Sequence, residues 1–578
     1  MRSPTLRRTA VTAAAATALT TTLTMTGFVT AAGAAPDKAQ GPKPVEIQLL
    51  ALNDFHGALE PPGGSGGRIQ TDAAGTTVDA GGAEYLATQL AQLSAEQKKD
   101  NTITVAAGDL IGASPLLSAA FHDEPAIESL SLAGLDYASV GNHEFDEGAD
   151  ELLRIQNGGC HPVDGCADGT PYEGADFEYL SANAFVTETG EPLLEPYAVH
   201  KVQGVEIGFI GMTLEGTADI VSQEGVAGLT FADEIETANR YAAELQAQGV
   251  ESIVVLLHQG GNQTGAGAWD VNGCNGFTGP IVDIANGMSD AIDVVVSGHT
   301  HQAYNCDVDG KLVTSAGSNG RLVTDIDLSI DRRTGDVLTA AADNTIVTRD
   351  LAADPAQTEL ISRYKEALGP VAGEVVGTTA EPITRSQETL FGSAGGESAL
   401  GNLIADAQLA ATDDEAGAVA AFMNPGGVRA DLDAGQVTYE EAFTVQPFAN
   451  NLVTLDLTGA ELQCLLEQQF AVGRTLYPSA TVSYAVDTAG TTASADDPCS
   501  GSRVDDSSVT ILGTAVDPAA TYRITVNNFL AGGGDGFTVL RDYGENAVTG
   551  PIDLDAFTAY LGATSPVEAP ALDRISTR

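Results

Sequence analysis

The chain has 578 residues, of which 79 are acidic and 26 are basic, and its formal net charge at pH 7 is −53. This length is too great for one hydrophobic core and predicts two or more domains. The acidity argues against binding to nucleic-acid polymers or anionic membranes, since both need a basic protein surface. It is compatible with small anionic substrates if metal ions and local arginines reverse the field at the site.

Residues 1–35 have the pattern of a secretory signal peptide. Arg2, Arg7 and Arg8 precede a stretch rich in Ala, Thr and Leu, and small residues lie just before Pro36, as at a signal-peptidase site. A membrane anchor would need about 20 strongly apolar residues, whereas this stretch is diluted by threonines. We therefore expect a cleaved, exported protein without stable membrane insertion, either secreted freely or held near the cell wall.

Six cysteines in an exported chain favour disulfides over thiol chemistry. Many pairings are possible, but the spacing favours pairing in sequence order. The expected disulfides are Cys160–Cys166, Cys274–Cys306 and Cys464–Cys499. A zinc finger is disfavoured because no second cluster lies at finger spacing from the first pair.

Between residues 45 and 347, short β-branched runs alternate with helical patterns, which predicts a layered α/β domain. Four of these runs are strongly apolar, as expected of strands that are buried on both faces. They span residues 45–52, 102–107, 252–257 and 292–297.

A helical pattern follows over residues 351–368 and is ended by Gly369 and Pro370. We therefore place a connecting helix at residues 351–370. Residues 371–561 contain alternating strands and Gly-rich loops, which predicts a separate, smaller α+β domain.

Polar side chains follow the apolar runs at the points where the strands end, which is where open α/β sheets place their sites. The segment Gly-Asn-His-Glu-Phe-Asp at residues 141–146 is the most specific of these. Eight side chains in this pattern are candidates for a metal site: Asp54, His56, Asp109, Asn142, His143, His258, His299 and His301. They include five of the eight histidines in the chain. Such mixed nitrogen and oxygen ligands suit zinc, manganese, iron or cobalt.

The series D-x-H, G-D, G-N-H-E, H and G-H-x-H resembles that of calcineurin-like metallophosphoesterases, and GNHEFD resembles the 5′-nucleotidase family. The resemblance covers about residues 45–561. It implies a four-layer α/β sandwich followed by a smaller α+β domain, with hydrolysis supported by two divalent metal ions, zinc, manganese or similar.

Residue by residue, the resemblance assigns Asp54, His56 and His301 to one ion. It assigns Asn142, His258 and His299 to the other ion, and Asp109 bridges the two.

The same resemblance gives His143 a catalytic role, either contacting a phosphate oxygen or assisting the leaving group. Asp146 would orient that imidazole. The alternative for Asp146 is a helix N-cap.

Four Gly-, Asn- and Phe-containing stretches between residues 396 and 537 resemble the nucleotide-binding domain of 5′-nucleotidases. On that pattern Phe448 and Phe529 stack on the base. Asp535 binds ribose hydroxyls, and Asn424 and Arg429 contact the phosphate or the ribose region. Taken singly, each stretch also fits glycine turns, a surface arginine or core phenylalanines.

One feature departs from the family pattern. Many members carry an arginine shortly before the segment Gly-Glu-Ser-Ala-Leu-Gly-Asn, but residues 391–396 contain none. Arg385 is the candidate substitute. Because metals and base pocket would lie on different domains, the family also implies a hinge rotation, for which the end of the connecting helix is the candidate.

These features predict a secreted phosphohydrolase that acts on small-molecule nucleotides. Its expected substrates are nucleoside 5′-monophosphates, with di- and triphosphates or UDP-sugars as further ones. A 2′,3′-cyclic phosphodiesterase with 3′-nucleotidase activity is the alternative enzyme, and a sulfur-ester hydrolase fits the paired phenylalanines less well. A non-catalytic nucleotide-binding protein is the alternative of a different class, against which the intact His143 and Asp146 argue.

Overall fold

A computed structural model of the chain describes residues 43–578 except 99–100, 167, 223, 389–394 and 495–496, and it leaves out the side chains of 64–65. The expected signal peptide at residues 1–35 lies outside the described residues. Among the described residues, no helix has the length and apolar content needed to cross a bilayer.

Two six-stranded sheets form the centre of the N-terminal part. The first consists, in spatial order, of Val337–Ile346, Leu322–Ile330, Val45–Leu52, Thr102–Ala107, Tyr137–Ser139 and Glu178–Leu180. The second consists of Ala303–Val308, Lys311–Ala316, Val294–Ser297, Ser252–His258, Val205–Thr213 and Tyr197–Val202. Neighbouring strands from Val45–Leu52 to the edge strand Glu178–Leu180 are parallel in the first sheet, and its other two strands are antiparallel. In the second sheet the central strands are parallel and both edge strands are antiparallel.

The two sheets pack face to face through one apolar core, to which Leu49 and Val105 of the first sheet and Leu256 of the second contribute. Helices cover both outer faces. They are Ala83–Glu96, Leu116–Ala119, Glu124–Leu132, Ala149–Asn157 and Pro355–Leu368 with the first sheet, and Glu234–Gln248 and Pro280–Gly287 with the second. The result is a four-layer sandwich, as the family resemblance implied.

The four strongly apolar runs are strands, and the first two have the predicted bounds. The third extends one residue further, to His258, and the fourth begins at Val294. All four are almost completely buried, because a strand between two layers has no face in water.

The predicted connecting helix spans Pro355–Leu368 and begins four residues later than expected. The carboxylate of Asp354 caps it by accepting hydrogen bonds from the amides of Ala356 and Gln357 at 2.9 and 3.1 Å. Tyr364 of this helix is buried in the core beneath the first sheet. The helix is thus built into the N-terminal layers, and the chain leaves it through Gly369, whose φ of 68° is left-handed.

The C-terminal part contains a five-stranded sheet in the order Tyr477–Pro478, Ala420–Met423, Thr521–Asn527, Asn451–Thr458 and Glu545–Ile552. A four-stranded sheet of Thr514–Ala515, Thr510–Ile511, Val482–Val486 and Ile575–Thr577 lies beside it. The helices of this part are Ala399–Ala410, Asp413–Ala416, Tyr439–Val445, Gly459–Val472, Asn528–Ala531, Thr538–Tyr543 and Asp553–Thr564. Two apolar cores pack these elements together.

The remaining described elements are short. Three two-stranded sheets pair Arg68–Gln70 with Thr77–Asp79, Ala184–Val186 with Leu229–Phe231, and Val375–Thr379 with Gly435–Thr438. All six cysteines form disulfides in the predicted sequence order, Cys160–Cys166, Cys274–Cys306 and Cys464–Cys499.

Candidate functional site

The seven candidate metal ligands meet where the carboxyl ends of both N-terminal sheets come together. Strands Val45–Leu52, Thr102–Ala107 and Tyr137–Ser139 of the first sheet lead into Asp54, His56, Asp109 and Asn142. The second sheet contributes His258, the last residue of its strand, and the pair His299 and His301 just after Val294–Ser297. Residues from both sheets therefore share one site, as expected for parallel strands that end at a common edge.

One group of ligands surrounds the carboxylate of Asp54. Oδ1 of Asp54 lies 3.2 Å from Nε2 of His301. Nε2 of His301 lies 3.0 Å from Nε2 of His56, and Nε2 of His56 lies 3.8 Å from Oδ2 of Asp109. These four residues thus converge on one small volume.

A second group surrounds the other side of Asp109. Oδ2 of Asp109 lies 2.9 Å from Nε2 of His258, and Nδ1 of His299 lies 3.0 Å from Oδ1 of Asn142. Asp109 therefore faces imidazoles of both groups.

The donor atoms fit divalent metal ions, which a calcineurin-like metallophosphoesterase fold implies. Nε2 of His258 is buried and faces only the carboxylate of Asp109 at 2.9 Å, while Nδ1 faces the carbonyl of Ala107 at 2.7 Å. A donated Nδ1–H leaves the Nε2 lone pair free for a metal. Nε2 of His56 and Nε2 of His301 also face each other. Two lone pairs in this position can bind one cation between them, whereas they cannot hydrogen-bond to each other unless one ring carries a proton there.

The electrostatics agree with this fit. Burial lowers the pKa of His56 to about 3 and that of His299 to about 4, so both imidazoles are neutral at pH 7, as metal ligands must be. Burial opposes ionisation of Asp109, but the imidazoles of His258 and His143 hold the pKa of its carboxyl well below the usual range. The pKa values of these three groups thus fit a metal site. Asp109 and Asp54, however, raise the pKa of His258 to about 10 against the effect of burial, so this imidazole has to release its proton when a metal binds.

Five of the seven candidate ligands have left-handed backbone conformations. The φ angles are 51° at Asp54, 49° at His56, 49° at Asp109, 70° at His299 and 55° at His301. Side chains other than glycine rarely adopt this conformation, and it clusters at functional sites where surrounding contacts enforce it. These sharp turns direct the five side chains toward one another at the ends of the strands.

Two residues that sequence reasoning did not single out hold these turns together. Asn53 donates to the carbonyl of Gly317 at 2.7 Å and accepts the amide of Ala316 at 2.7 Å, which links the two strand ends of different sheets. Its place directly before Asp54 was the only signal in the sequence.

Glu144 is the second such residue, and it is buried. Its carboxylate accepts the amides of Asp109, Leu110 and Gly141 at 3.0, 2.8 and 2.5 Å. Burial raises its pKa to about 7. Glu144 thus joins the Gly-Asp turn to the Gly-Asn-His turn, which explains why a glutamate stands inside the motif GNHEFD.

His143 and Asp146 form a close pair beside the ligands. Nδ1 of His143 lies 2.7 Å from Oδ2 of Asp146, and the backbone amide of His143 donates to Asp109 at 2.9 Å. Burial alone would lower the pKa of His143, but the carboxylates of Asp146 and Asp109 raise it above its ordinary value. The N-cap of the following helix is Gly148, so the alternative role of Asp146 as that cap is wrong.

A cavity of about 580 Å³ lies above this pair and is lined by both parts of the chain, a size typical of small-molecule sites. Its N-terminal lining includes Asn142, His143, Asp146 and His299. Its C-terminal lining includes the predicted substrate residues Asn424, Arg429, Phe448, Phe529 and Asp535. The structure therefore brings the two predicted halves of the site together.

Phe448 lies at the junction of these halves. Its ring stacks on the imidazole of His143, with centroids 5.7 Å apart and planes at 14°. The guanidinium carbon of Arg429 lies 5.7 Å from the centroid of the Phe448 ring. Arg429 is half-buried close to Asp109 and Asp146, and desolvation together with the nearby Arg385 lowers its pKa.

Asp535 lies at the other end of the cavity and is already hydrogen-bonded. Its Oδ2 accepts Nδ2 of Asn424 at 2.9 Å, and its Oδ1 pairs with Nη1 of Arg474 at 2.7 Å. Sequence reasoning missed Arg474, which no motif marks. It also passed over Asn528, whose Oδ1 is buried, borders the cavity and makes no hydrogen bond with a described residue.

Arg385 is the one predicted substrate residue that does not line this cavity. Its amide donates to Asp431 at 2.8 Å, and its guanidinium donates to the carbonyl of Val428 at 3.4 Å. It lies close enough to Arg429 to affect the pKa of that guanidinium. Residues 391–394 of the arginine-free segment are outside the described part of the chain.

Comparison with known proteins agrees with the fold and the site. Residues 47–303 match the calcineurin-like phosphoesterase family, and residues 375–542 match the 5′-nucleotidase C-terminal domain. The chain is thus a metallophosphoesterase in its first domain. With the second domain included, it belongs to the 5′-nucleotidase family.

Three similar proteins span most of the chain. Endonuclease YhcR of Bacillus subtilis is 35% identical over 89% of this chain and 40% of its own length. Cell wall protein Lmo0130 of Listeria monocytogenes is 32% identical over 89% of this chain and 67% of its own length. The crystal structure of a 5′-nucleotidase precursor from Thermus thermophilus is 28% identical, with a TM-score of 0.74 over 92% of this chain and 99% of that one. The chain thus spans less than half of YhcR.

Proposed function

We propose that this protein hydrolyses nucleoside 5′-monophosphates to nucleoside and phosphate. Nucleoside di- and triphosphates and UDP-sugars are its further substrates. The observation that carries the proposal is the single cavity that joins His143, beside the candidate ligands, to Phe448 and Asp535. A phosphate at the ligands would leave the attached nucleoside within the C-terminal half of that cavity.

Two divalent ions would be held here. Asp54, His56 and His301 would bind the first, Asn142, His258 and His299 the second, and Asp109 both. When bound, such ions would activate water and neutralise charge that develops on the phosphate. The protein's own contribution is to hold these ligands, most of them buried, in one orientation through Asn53 and Glu144.

His143 and Asp146 act on the phosphate and on the leaving group. The imidazole hydrogen-bonds a phosphate oxygen or protonates the departing ribose oxygen through Nε2, while Asp146 accepts from Nδ1 and stabilises the protonated ring. The raised pKa of His143, to which Asp146 contributes, supports this role.

The C-terminal residues bind the nucleoside. Phe448 and Phe529 stack on the base. Asp535 accepts hydrogen bonds from ribose hydroxyls, which replace one of its present partners, Asn424 or Arg474. Asn424 and Arg429 contact the phosphate or the ribose region. Arg385 donates a hydrogen bond to the carbonyl of Val428, next to Arg429, and is our candidate for a further phosphate contact.

We further propose two domains, residues 45–347 and 371–561, that rotate relative to each other to admit and release nucleotides. The connecting segment at residues 351–370 provides the hinge. Because its helix packs on the N-terminal layers, we place the pivot at the end of the helix, near Gly369.

Phosphodiester hydrolysis, as in a 2′,3′-cyclic-nucleotide phosphodiesterase with 3′-nucleotidase activity, is the second candidate. It is favoured by one observation, the name endonuclease carried by the Bacillus relative. The net charge of −53 opposes a polymeric substrate, so a cyclic mononucleotide is the diester that fits this chain better.

We propose an extracellular location after cleavage of residues 1–35, with association with the cell wall as one form of it. Three disulfides support it, because disulfides persist in oxidising compartments. The name of the Listeria relative, a cell wall protein, points the same way.

The test is phosphate release from AMP, 2′,3′-cyclic AMP, ATP and UDP-glucose in Mn²⁺, in Zn²⁺ or in chelator. The wild type is compared with His143→Ala and with His200→Ala, a control at a histidine whose ring nitrogen contacts Tyr137. We expect chelator-sensitive AMP hydrolysis that only His143→Ala abolishes. Preference for the cyclic substrate would favour the second candidate, and binding of nucleotide without turnover in any metal would make the protein a non-catalytic binder.

A further inference from the structure

A second group of metal-binding side chains lies at the rim of the cavity, separate from the seven candidate ligands. It consists of His122, Glu147, His161 and Asp164. The rings of His122 and His161 stack with centroids 3.8 Å apart and planes at 18°. Oδ2 of Asp164 lies 3.0 Å from Nε2 of His122 and 3.2 Å from Nδ1 of His161. One carboxylate oxygen therefore faces a nitrogen of each ring.

Both histidines are held by local structure. His122 and Asp123 have left-handed φ angles of 51° and 58°. The buried carboxylate of Asp123 fixes this turn by accepting the hydroxyl of Ser118 at 2.5 Å and the amide of Gly112 at 3.1 Å. His161 lies within the loop closed by the disulfide Cys160–Cys166. The two rings thus meet because two constrained loops place them there.

We propose that His122, His161 and Asp164 form an additional divalent-cation site of the zinc type, with Glu147 as the carboxylate that orients His122. Nothing in the nucleotidase proposal uses these four side chains. The site therefore goes beyond that function and does not depend on it.

The orientation of His122 supports metal binding at its Nε2. Nδ1 of His122 lies 2.9 Å from Oε2 of Glu147, so a proton on Nδ1 leaves the Nε2 lone pair directed at Asp164. A histidine that donates its second nitrogen to a carboxylate is the usual arrangement around protein-bound zinc. Two imidazoles and one carboxylate complete three ligands and leave a fourth position for water or an anion.

A cation at this site would offset part of the negative charge of a strongly acidic protein. His122 and Glu147 belong to the cluster and also line the cavity. Glu147 directly follows Asp146 in the chain. A cation bound here adds positive charge at the mouth of a cavity that must admit anionic substrates.

The same contacts fit a competing arrangement without metal. Glu147 raises the pKa of His122 to about 9, against the effect of burial and with the help of Asp164, so a protonated His122 can bridge the two carboxylates. In addition, the amide of Asp164 donates to Nδ1 of His161 at 3.1 Å, a contact that a cation at Nδ1 displaces. Metal content distinguishes the two arrangements.

The experiment measures zinc bound per chain. The full chain, without an affinity histidine tag, is equilibrated with buffered free Zn²⁺ in the low-micromolar range and analysed by mass spectrometry. His122→Ala, His161→Ala and Asp164→Asn are compared with the control His200→Ala. We expect each of the three cluster variants to bind one zinc fewer than the wild type, and the control to bind the same number.

Asp164→Asn keeps the test valid if an alanine variant unfolds, because the side chain of Asp164 is 60% exposed. Equal zinc content in wild type, His161→Ala and Asp164→Asn at every free zinc concentration would overturn the proposal and leave the protonated bridge. The readout does not involve turnover, so a failure of the nucleotidase proposal would not alter it.

Discussion

The imidazole of His143 stacks on the phenyl ring of Phe448 with ring centroids 5.7 Å apart. His143 follows a strand of the N-terminal sandwich, whereas Phe448 precedes the strand Asn451–Thr458 of the C-terminal sheet. The contact joins the proposed hydrolytic group directly to a proposed base-binding ring. The two roles of Phe448, stacking on a base and supporting His143, make different predictions.

For Phe448→Leu we expect the KM for AMP to rise about 5- to 150-fold, since stacking of a base on an aromatic ring contributes about 1–3 kcal/mol. Turnover of p-nitrophenyl phosphate, which has no nucleobase, should stay near the wild-type value. Steady-state kinetics on both substrates provide the measurement. Phe443→Leu, at another ring that lines the cavity, is the matched control and should change the KM less. An equal fall in kcat on both substrates would instead assign Phe448 to the support of His143.

For His143→Ala we expect kcat for AMP to fall about 10²- to 10⁴-fold, the usual contribution of a positioned acid or base. Asp146→Asn should cause a smaller loss, because it removes only the carboxylate that orients and charges the imidazole. The double variant should be no slower than His143→Ala, since both residues act through one ring. Phosphate release gives the rates, and metal analysis of the same samples gives the control. Loss of bound metal from His143→Ala would mean that His143 is a ligand.

Removal of metal should destabilise the protein as well as inactivate it. An ion that binds only the folded chain stabilises it by about 2.7 kcal/mol at a free concentration 100 times its Kd. We therefore expect Mn²⁺ to raise the Tm of the chelator-treated wild type. Asp109→Asn should lose most of this rise, because Asp109 faces both ligand groups. Thermal unfolding with and without Mn²⁺ measures the effect, and the same rise in both proteins would exclude Asp109 as a shared ligand.

Asp553 predicts a pH dependence of stability. Burial raises the pKa of this carboxyl from 3.8 to about 7 in the folded protein. Between those values the folded chain keeps a proton that the unfolded chain has released, so the free energy of unfolding falls as the pH rises. Asp553→Asn removes this penalty. Its stability relative to the wild type should grow between pH 4 and pH 7 by at most about 4 kcal/mol.

Urea unfolding at a series of pH values measures this difference. Asp555→Asn controls for the loss of a negative charge at the start of the same helix, because Asp555 is exposed. A stability difference between Asp553→Asn and the wild type that is the same at pH 4 and pH 7 would contradict the raised pKa.

Much of this protein follows from its sequence alone. The central strands are buried on both faces and are therefore apolar along their whole length. The apolar runs in the sequence thus predict these strands to within a few residues. The carboxyl ends of those strands and of the short strand Tyr137–Ser139 carry all the candidate ligands, as is usual in open α/β sheets. The spacing of the cysteines likewise indicated the disulfides. These features are local, so a pattern along the chain is enough to reveal them.

Only the tertiary structure decided which distant residues meet. His56 and His301 are separated by 245 positions, yet their ring nitrogens lie 3.0 Å apart. The pattern of apolar and polar residues does not predict the left-handed turns at the ligands. Nor does it predict that Arg385 lies close to Arg429 or that Asp535 pairs with Arg474. The stacking of His122 on His161 likewise depends on two loops meeting. Such contacts are set by how whole layers and domains pack, and a single sequence carries no separate signal for that packing.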